Sequence, residues 1–298
     1  MPELPEVETV RRSLAPRLVG RTVTKATLHR RDIAVMPGDP EGGFSRQREI
    51  HQAPKRVRAA DMLQGRRLVE PLRRGKQLAI VSAAGDDGRP AIIVHLGMTG
   101  QLRWVAAGGK LDAADHVHAT WRLDDGSRLV FRDPRRFGGI WLLPDQRDLE
   151  ARWATLGPDG LESSINELVQ ALDRSSRRAV KAALLDQGVI AGIGNIYADE
   201  SLFRAGVHPL TPLEQLDDSD RLRLARSLRG VLQAAVDARG STLRDYADAD
   251  GRLGAAQGMH RVYGRGSQPC TTCGTLLERE VIAQRTTVWC PSCQPTRL

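Results

Sequence analysis

The chain opens Met1-Pro2-Glu3-Leu4-Pro5-Glu6-Val7-Glu8-Thr9-Val10, so removal of one methionine would leave a secondary amine on Pro2 beside a carboxylate on Glu3. An α-amino group titrates at about pH 7.7–8.0, far below a lysine side chain, and is partly unprotonated and nucleophilic at neutral pH. A proline ring nitrogen that condenses with a carbonyl-like carbon must form a charged iminium, an electron sink for elimination at the next carbon. The same residues also suit an ordinary amphipathic helix. Proline fits a first turn, Glu3, Glu6 and Glu8 suit its positive end, and Leu4, Val7, Val10, Leu14 and Leu18 recur at helical spacing ahead of and among Arg11, Arg12 and Arg17. The opening residues alone leave both readings standing.

A second chemical signal lies at the other end. Cys270-x-x-Cys273 is followed after sixteen residues by Cys290-x-x-Cys293, and these are all four cysteines of the chain. The spacing matches the two-knuckle zinc pattern. Two short disulfides are the alternative, but adjacent Cys-x-x-Cys bridges are strained, and cysteine usage of this kind suits a reducing cytoplasm. Four thiolates fill a tetrahedral zinc ion and leave no position for an activated water, so one Zn2+ here is expected to be structural, holding a hairpin that would otherwise lack a core. That hairpin carries Gln284-Arg285-Thr286-Thr287. Arg285 either meets a phosphate or is another solvated charge.

The elements that must position these groups change character midway. After Gly20, short alternating or apolar runs at Thr22–Leu28, Gln77–Ser82, Ala91–Leu96, Gln101–Val105, His118–Leu123, Arg128–Phe131 and Ile140–Leu143 are separated by turn-rich pieces and predict antiparallel sheet. Arg31 to Gly65 is polar and basic and predicts a long surface excursion. From Glu150 the periodicity becomes helical, with helices expected around Ser164–Leu172, Arg177–Asp186, Asn195–Ala205 and Asp217–Arg239. Between two of them, Gln187-Gly188-Val189-Ile190-Ala191-Gly192-Ile193-Gly194-Asn195 can aim bare amides and a helix N-terminus at a phosphate, or simply connect the helices. Asn195 is a candidate cap for the following helix.

At 298 residues the chain can bury one large or two medium cores. Lys and Arg outnumber Asp and Glu by 44 to 36, for a net charge of +8. Such a balance favours a polyanionic partner, nucleic acid foremost, although it also serves plain solubility. No apolar stretch is long enough to span a bilayer, and the acidic start lacks the basic and apolar regions of a signal peptide. A cytoplasmic protein with no membrane association is expected.

In this order, the Pro2-Glu3 start, the glycine turn and the four-cysteine hairpin resemble the formamidopyrimidine-DNA glycosylase family. The resemblance runs from end to end, through Pro2-Glu3-Leu4-Pro5-Glu6-Val7-Glu8-Thr9, His95-Leu96-Gly97-Met98-Thr99-Gly100, Asp133-Pro134-Arg135-Arg136-Phe137-Gly138, Gly192-Ile193-Gly194-Asn195-Ile196-Tyr197-Ala198, Val262-Tyr263-Gly264-Arg265 and Ala283-Gln284-Arg285. It implies an α+β multidomain fold. Residues 1–149 would form an N-terminal antiparallel β-sandwich with flanking helices, 150–266 a mainly α helix-two-turns-helix domain, and 267–298 a C-terminal zinc hairpin.

It further implies a monomeric base-excision repair enzyme acting on double-stranded damaged DNA, which extrudes 8-oxoguanine or a formamidopyrimidine, releases the base and nicks the backbone. Extrusion is physically required because C1′ is out of an amine's reach in a stacked duplex. By motif position, the Pro2 nitrogen attacks C1′, Glu3 supplies a proton to the opening sugar, Lys76 assists β-elimination and Arg285 assists δ-elimination and holds phosphate. Met98, Arg135 and Phe137 match the residues inserted into the emptied stack, with Phe137 as the wedge and Arg135 facing the orphaned base. His116 and Asn195 match DNA contacts. Ser176 stands where relatives commonly carry a lysine, and Arg177 is the expected substitute.

Two departures stand out. The stretch Gly254-Ala255-Ala256-Gln257-Gly258 is small where relatives commonly have an aromatic residue, which bears on the loop covering the lesion, and the Arg31–Gly65 excursion is long. Two other readings remain open: an endonuclease VIII-like enzyme preferring oxidised pyrimidines, against which Leu4 speaks, and a noncatalytic damage-binding protein, against which Pro2, Glu3 and Lys76 speak.

Overall fold

A computed structural model describes residues 2–37, 39, 56–86, 88–111, 116–173, 177–243 and 245–296. The chain folds as two compact units. The first gathers Pro2, Glu6–Ala154 and Arg239–Gly254; the second gathers Glu3–Pro5, Thr155–Ala238 and the chain from Ala255 onward. Both units are assembled from separated segments, whereas the sequence reading cuts the chain once at 149 and again at 266. The zinc hairpin clusters with the helices rather than apart from them.

The first unit pairs two sheets around one core. One has the order β1 (Val23–Leu28), β7 (Val117–Leu123), β8 (Arg128–Arg132), β6 (Gln101–Val105); the other runs β2 (Ala34–Val35), β9 (Gly139–Leu143), β5 (Ala91–His95), β4 (Gln77–Val81), β3 (Leu72–Arg74). In β4 and β5 nearly every residue is apolar because both faces are covered. Leu78, Ile80, Ile92 and Val94 enter the core shared with Leu102, Trp121, Leu129, Phe131 and the α1 residues Val7, Val10, Leu14 and Leu18, where α1 spans Leu4–Leu18. The alternate residues Ala79, Val81, Ala91 and Ile93 pack under Leu149 and Trp153 of α2 (Gln146–Ala154).

Every strand run expected from the sequence forms. The sheets are antiparallel except where β2 lies parallel to β9, over Ala34 with Ile140 and Val35 with Trp141. Sequence reading misses β2 and β3 because two or three residues carry no periodicity, and misses α2 because Leu149 is its only buried apolar anchor. The middle of the Arg31–Gly65 excursion lies outside the described residues. Its ends do not stay on the surface: Ile33, Ala34, Met62 and Leu63 are at most 1 % exposed and belong to the core.

The second unit is helical. Its helices are α3 (Ile165–Leu172), α4 (Val180–Leu184), α5 (Asn195–Ala205) and α6 (Asp218–Asp237). Ser164 with Glu167 and Asp217 with Asp220 form reciprocal capping boxes that start α3 and α6. Leu168, Leu172, Leu184, Ile193, Ile196, Leu202, Leu224, Leu228 and Leu232 form its core, which also takes in Leu4. α4 is shorter than the expected Arg177–Asp186. The hairpin of β10 (Glu278–Ile282) and β11 (Arg285–Trp289) rests on a small cluster of Val262, Cys270, Leu277, Val288 and Cys290. Among the described residues no helix is long and apolar enough to cross a membrane.

Candidate active site

In the first unit, Lys76 occupies the tip of a two-residue hairpin. Arg74 pairs with Gln77, and Gly75 sits at φ +55 as the first turn residue, the geometry that a tight hairpin of primed type demands. Behind the turn lies a buried ion network. The Glu8 carboxylate accepts from Arg73 Nε (3.0 Å), Arg11 (2.9 Å) and Arg12 Nε (2.7 Å), and Arg73 Nη1 donates to Gly75 O (3.1 Å). Burial alone would raise the Glu8 pKa, but the three guanidinium groups outweigh it and hold the carboxyl at about 2. A full negative charge on α1 thereby fixes the arginine that braces the lysine turn. His95 pairs with Gln77 across β4 and β5. Burial, assisted by the charges of Lys76 and Arg152, lowers its pKa to about 4, so its imidazole is neutral at physiological pH.

Three further loops of this unit converge on Asp133. Its fully buried carboxylate accepts from the Thr99 hydroxyl and from Gly138 N–H (2.7 Å), its N–H donates to His116 O (3.1 Å), and its carbonyl bonds His118 Nε2 (2.8 Å). One side chain therefore ties the Leu96–Gly100 loop to the loop of Arg135 and Phe137, and the backbone of the same residue holds His116. Met98 is 41 % exposed, so it is not core packing. The Arg135 guanidinium lies 4.9 Å from the centre of the Phe137 ring, and Arg136 between them adopts φ +56. An exposed methionine and an arginine-stacked phenylalanine on braced loops are suited to entering a base stack. Pro2 also belongs to this unit and is buried.

In the second unit the glycine turn meets the other end of the chain. Gly194 and Ile196 N–H donate to the Glu3 carboxylate at 2.8 and 2.9 Å, and Tyr197 N–H approaches it at 3.4 Å. A Cβ on Gly194 would stand 2.4 Å from the Glu3 carboxyl carbon, and one on Gly192, at φ +103, 2.4 Å from Leu4 Cδ1. The turn is glycine because Glu3 and Leu4 lie against its backbone. The Gly194 and Ile196 amides are committed to a carboxylate of this chain rather than to an external phosphate. The helix cap is Gly194, without a side-chain bond, and Asn195 is the first helical residue.

The Asn195 amide instead donates to Thr286 O (2.9 Å), which places it beside Arg285 at the start of β11. Two residues of the same helix that sequence reasoning passed over set this arrangement. Asp199 meets Lys181 Nζ at 2.5 Å, both fully buried, and accepts from Val288 N–H, while Lys181 donates to the Thr287 hydroxyl (2.7 Å). Burial pushes the carboxyl up and the ammonium down. Glu200 accepts from the amides of Arg261, Val262 and Tyr263 at 2.8–3.0 Å. These two carboxylates lock the zinc hairpin and the Tyr263 segment onto α5. Arg177, by contrast, is 94 % exposed and at 3.8 Å from Glu214, apart from this group.

The four cysteines are free thiols whose sulfur atoms lie within 4.8 Å of one another, with pairs at 3.5, 3.6 and 3.9 Å. Zinc–sulfur bonds of about 2.3 Å in a tetrahedron require sulfur separations of about 3.8 Å, and a disulfide requires about 2.05 Å. The set fits zinc and not bridges. Cys270, Cys273, Cys290 and Cys293 hold one structural zinc. Glu8, Arg73, His95, Asp133, Lys181, Asp199, Glu200 and Tyr263 were not assigned from sequence, since their partners are mostly far along the chain.

Comparisons with known proteins agree along the whole length. Residues 1–140 match the model of the formamidopyrimidine-DNA glycosylase N-terminal domain, 156–247 that of the formamidopyrimidine-DNA glycosylase H2TH domain, and 267–296 a zinc finger found in FPG and IleRS. The chain is 42% identical over 297 residues to the formamidopyrimidine-DNA glycosylase of Chloroflexus aurantiacus, covering 99% of this chain and 98% of that one. It is 41% identical to that of Heliobacterium modesticaldum, covering 99% and 100%. Among solved structures, the MutM (Fpg) protein of Thermus thermophilus superposes with a TM-score of 0.80 at 38% identity, each chain covered fully. A Lactococcus lactis FPG variant in complex with Fapy-dG DNA gives 0.81 at 30% identity, with 99% of this chain and 100% of that one covered.

Proposed function

The chain belongs to the formamidopyrimidine-DNA glycosylase family, and from that premise we propose that Pro2 and Glu3 open its reaction, with Lys76 and Arg285 completing it. The protein is a bifunctional glycosylase and abasic-site lyase of base-excision repair, acting on oxidised purines such as 8-oxoguanine and formamidopyrimidines in duplex DNA. Lactococcus lactis Fpg is known in complex with Fapy-dG DNA and with abasic DNA, the substrate and the intermediate of that sequence. The Pro2 nitrogen attacks C1′ of the everted nucleotide, the bond from C1′ to the base breaks, and Glu3 gives a proton to the ring oxygen as the sugar opens. The resulting iminium acidifies C2′, and loss of that proton expels the 3′ phosphate. Lys76 stabilises this elimination and Arg285 the departure of the second phosphate.

The observation that carries this reading is the grip of the α5 amides on the buried Glu3 carboxylate, which pins the residue one peptide bond from Pro2. His116, Asn195, Arg177 and Tyr263 are assigned to phosphate contact. Met98, Arg135 and Phe137 fill the stack. Functionally, 1–149, 150–266 and 267–298 act as catalytic, DNA-gripping and zinc-stabilised parts. The enzyme works as a monomer, in a cytoplasm that keeps its four thiols reduced.

Borohydride trapping on an 8-oxoguanine·C duplex, with the N-terminal mass determined alongside, tests the reading. A covalent adduct is expected from protein that begins at Pro2. Pro2→Gly should lose most trapping and keep DNA affinity, and a variant with unchanged activity would refute the nucleophile assignment. Excision assays on oxidised pyrimidines separate the related pyrimidine specificity, against which Leu4, wholly buried beside Gly192, speaks.

A further inference from the structure

The second unit bears a half-open cavity of about 880 Å³, edged by Cys293 of the zinc set and by Glu200, whose space none of the roles above uses. One wall is apolar, with Tyr197 and Phe203 on α5, Val231 on α6, and Ala256 and Met259 from the segment that follows. The polar part is cationic. Arg204, Arg261 and Arg265 line it, together with His260, and its one carboxylate, Glu200, is occupied by the amides of Arg261, Val262 and Tyr263.

Among the described residues none of the three guanidinium groups meets a carboxylate. Arg265 donates to Gln268, Arg261 O and Pro269 O, and the Arg261 guanidinium reaches the Thr271 hydroxyl, at 3.3 Å. Arg204 makes no hydrogen bond or ion pair among the described residues. Its guanidinium lies across α6 at Gly230, where a Cβ would stand 3.0 Å from Nη1. A glycine inside a long helix is unfavourable for the helix, and here it gives the arginine room.

A cavity of this size with apolar and aromatic walls and three arginines that meet no carboxylate among the described residues is the build of a ligand site. We propose that it binds a small anion with an aromatic body, the apolar wall taking the ring system and Arg204 with Arg261 taking the charged group. The occupant would rest against the Arg261–Tyr263 segment that Glu200 clamps, so its binding would bear on Tyr263. This site is separate from the proposed reaction and stands or falls apart from it.

The test uses the zinc-loaded full chain without DNA and 8-anilinonaphthalene-1-sulfonate as the probe, followed by fluorescence titration and calorimetry. Saturable one-to-one binding is expected, weakened about tenfold or more by Arg204→Ala, the loss of one charge-assisted contact. Gly230→Ala should weaken it similarly by crowding Arg204 while leaving the melting temperature equal or higher, so that lost binding cannot be blamed on lost folding. Met259→Glu, which sets a carboxylate on the exposed part of the apolar wall, should abolish it, and Arg147→Ala in the other unit should leave it unchanged. No saturable binding, or equal affinity in all variants, would overturn the proposal. So would sensitivity to Arg204→Ala without sensitivity to Met259→Glu, because the anion would then sit in the smaller groove of Ser219, Arg223 and Arg226 that Arg204 also borders.

Discussion

Glu8→Gln removes the charge at the centre of the network behind Lys76 and keeps its shape. The Glu8 carboxyl is held at about 2 against an ordinary value of 4.5, and its side chain is 3% exposed. At about 1.4 kcal/mol per decade, that depression stores roughly 3 kcal/mol of folding free energy. The sign follows from the depressed value. The contribution is fully present above pH 4.5 and is lost as the pH falls through about 2, below which folded and unfolded chains alike carry the proton. The stability difference between wild type and Glu8→Gln should therefore be largest near neutrality and shrink by about 3 kcal/mol on acidification. Urea unfolding followed by tryptophan fluorescence reads it well, because Trp104, Trp121, Trp141 and Trp153 all lie in the first unit and only Trp289 in the second. The same substitution frees Arg73 to leave Gly75 O, so strand nicking should fall more than iminium trapping does. A stability difference that stays constant with pH would show that the folded protein does not depend on the ionised carboxylate. Nicking that keeps pace with trapping would show that the lysine turn needs no brace.

Asp133→Asn turns an acceptor into a partial donor beside Gly138 N–H and the Thr99 hydroxyl, at a cost of about 1–3 kcal/mol. Excision from duplex DNA should fall, while cleavage of a single-stranded abasic site, which needs no wedge, should be spared; equal losses on the two substrates would remove Asp133 from wedge support. Arg285→Ala should weaken DNA binding and lower the slope of log K against log salt by about 1, as expected for one lost phosphate contact, and an unaltered slope would place Arg285 off the backbone. Chelation of zinc should reproduce that loss and also melt the β10–β11 hairpin, whose own apolar cluster is small, with circular dichroism and a binding titration as the two readouts.

The parts legible in the sequence are those whose information is local. The cysteine spacing announces its metal within twenty-four residues, and strand runs such as Ala91–His95 announce themselves by unbroken apolar character. What stayed hidden depends on distant partners. Glu8 reads as a helix N-terminal acid until Arg73 arrives, and Asp133 stands only as the first letter of a motif until Thr99 and Gly138 close around it. The α4 helix stops at Leu184, short of the periodic pattern, and no pattern in a single chain foretells where tertiary packing will end a helix. Arg177 comes from its position in a motif, and at 94 % exposure it is open to a partner outside the chain, which no intrachain contact can reveal.

The glycine turn shows where reading by residue type reaches its limit. Bare amides before a helix can take any anion, and phosphate was one reading of Gln187–Asn195. The structure gives those amides to Glu3, and the spacing of the glycines follows from that choice, since a Cβ at either Gly192 or Gly194 would collide with Leu4 or Glu3. The first residues of the chain and its middle are therefore one construction, and a change at Gly194 should act as a change at Glu3. The proposed anion contacts then lie on side chains arranged around the same helix: Asn195 by Thr286, Arg285 on the hairpin that Asp199 and Lys181 lock in place, and Tyr263 on the segment that Glu200 holds. On the proposed roles, the first turn of this helix secures the proton donor through Gly194 and Ile196 N–H, and its next two carboxylates secure the residues proposed to meet phosphate. Affinity in this unit is therefore expected to respond to Asn195 and Arg285 side-chain changes more than to the Gly194 amide, which already holds Glu3.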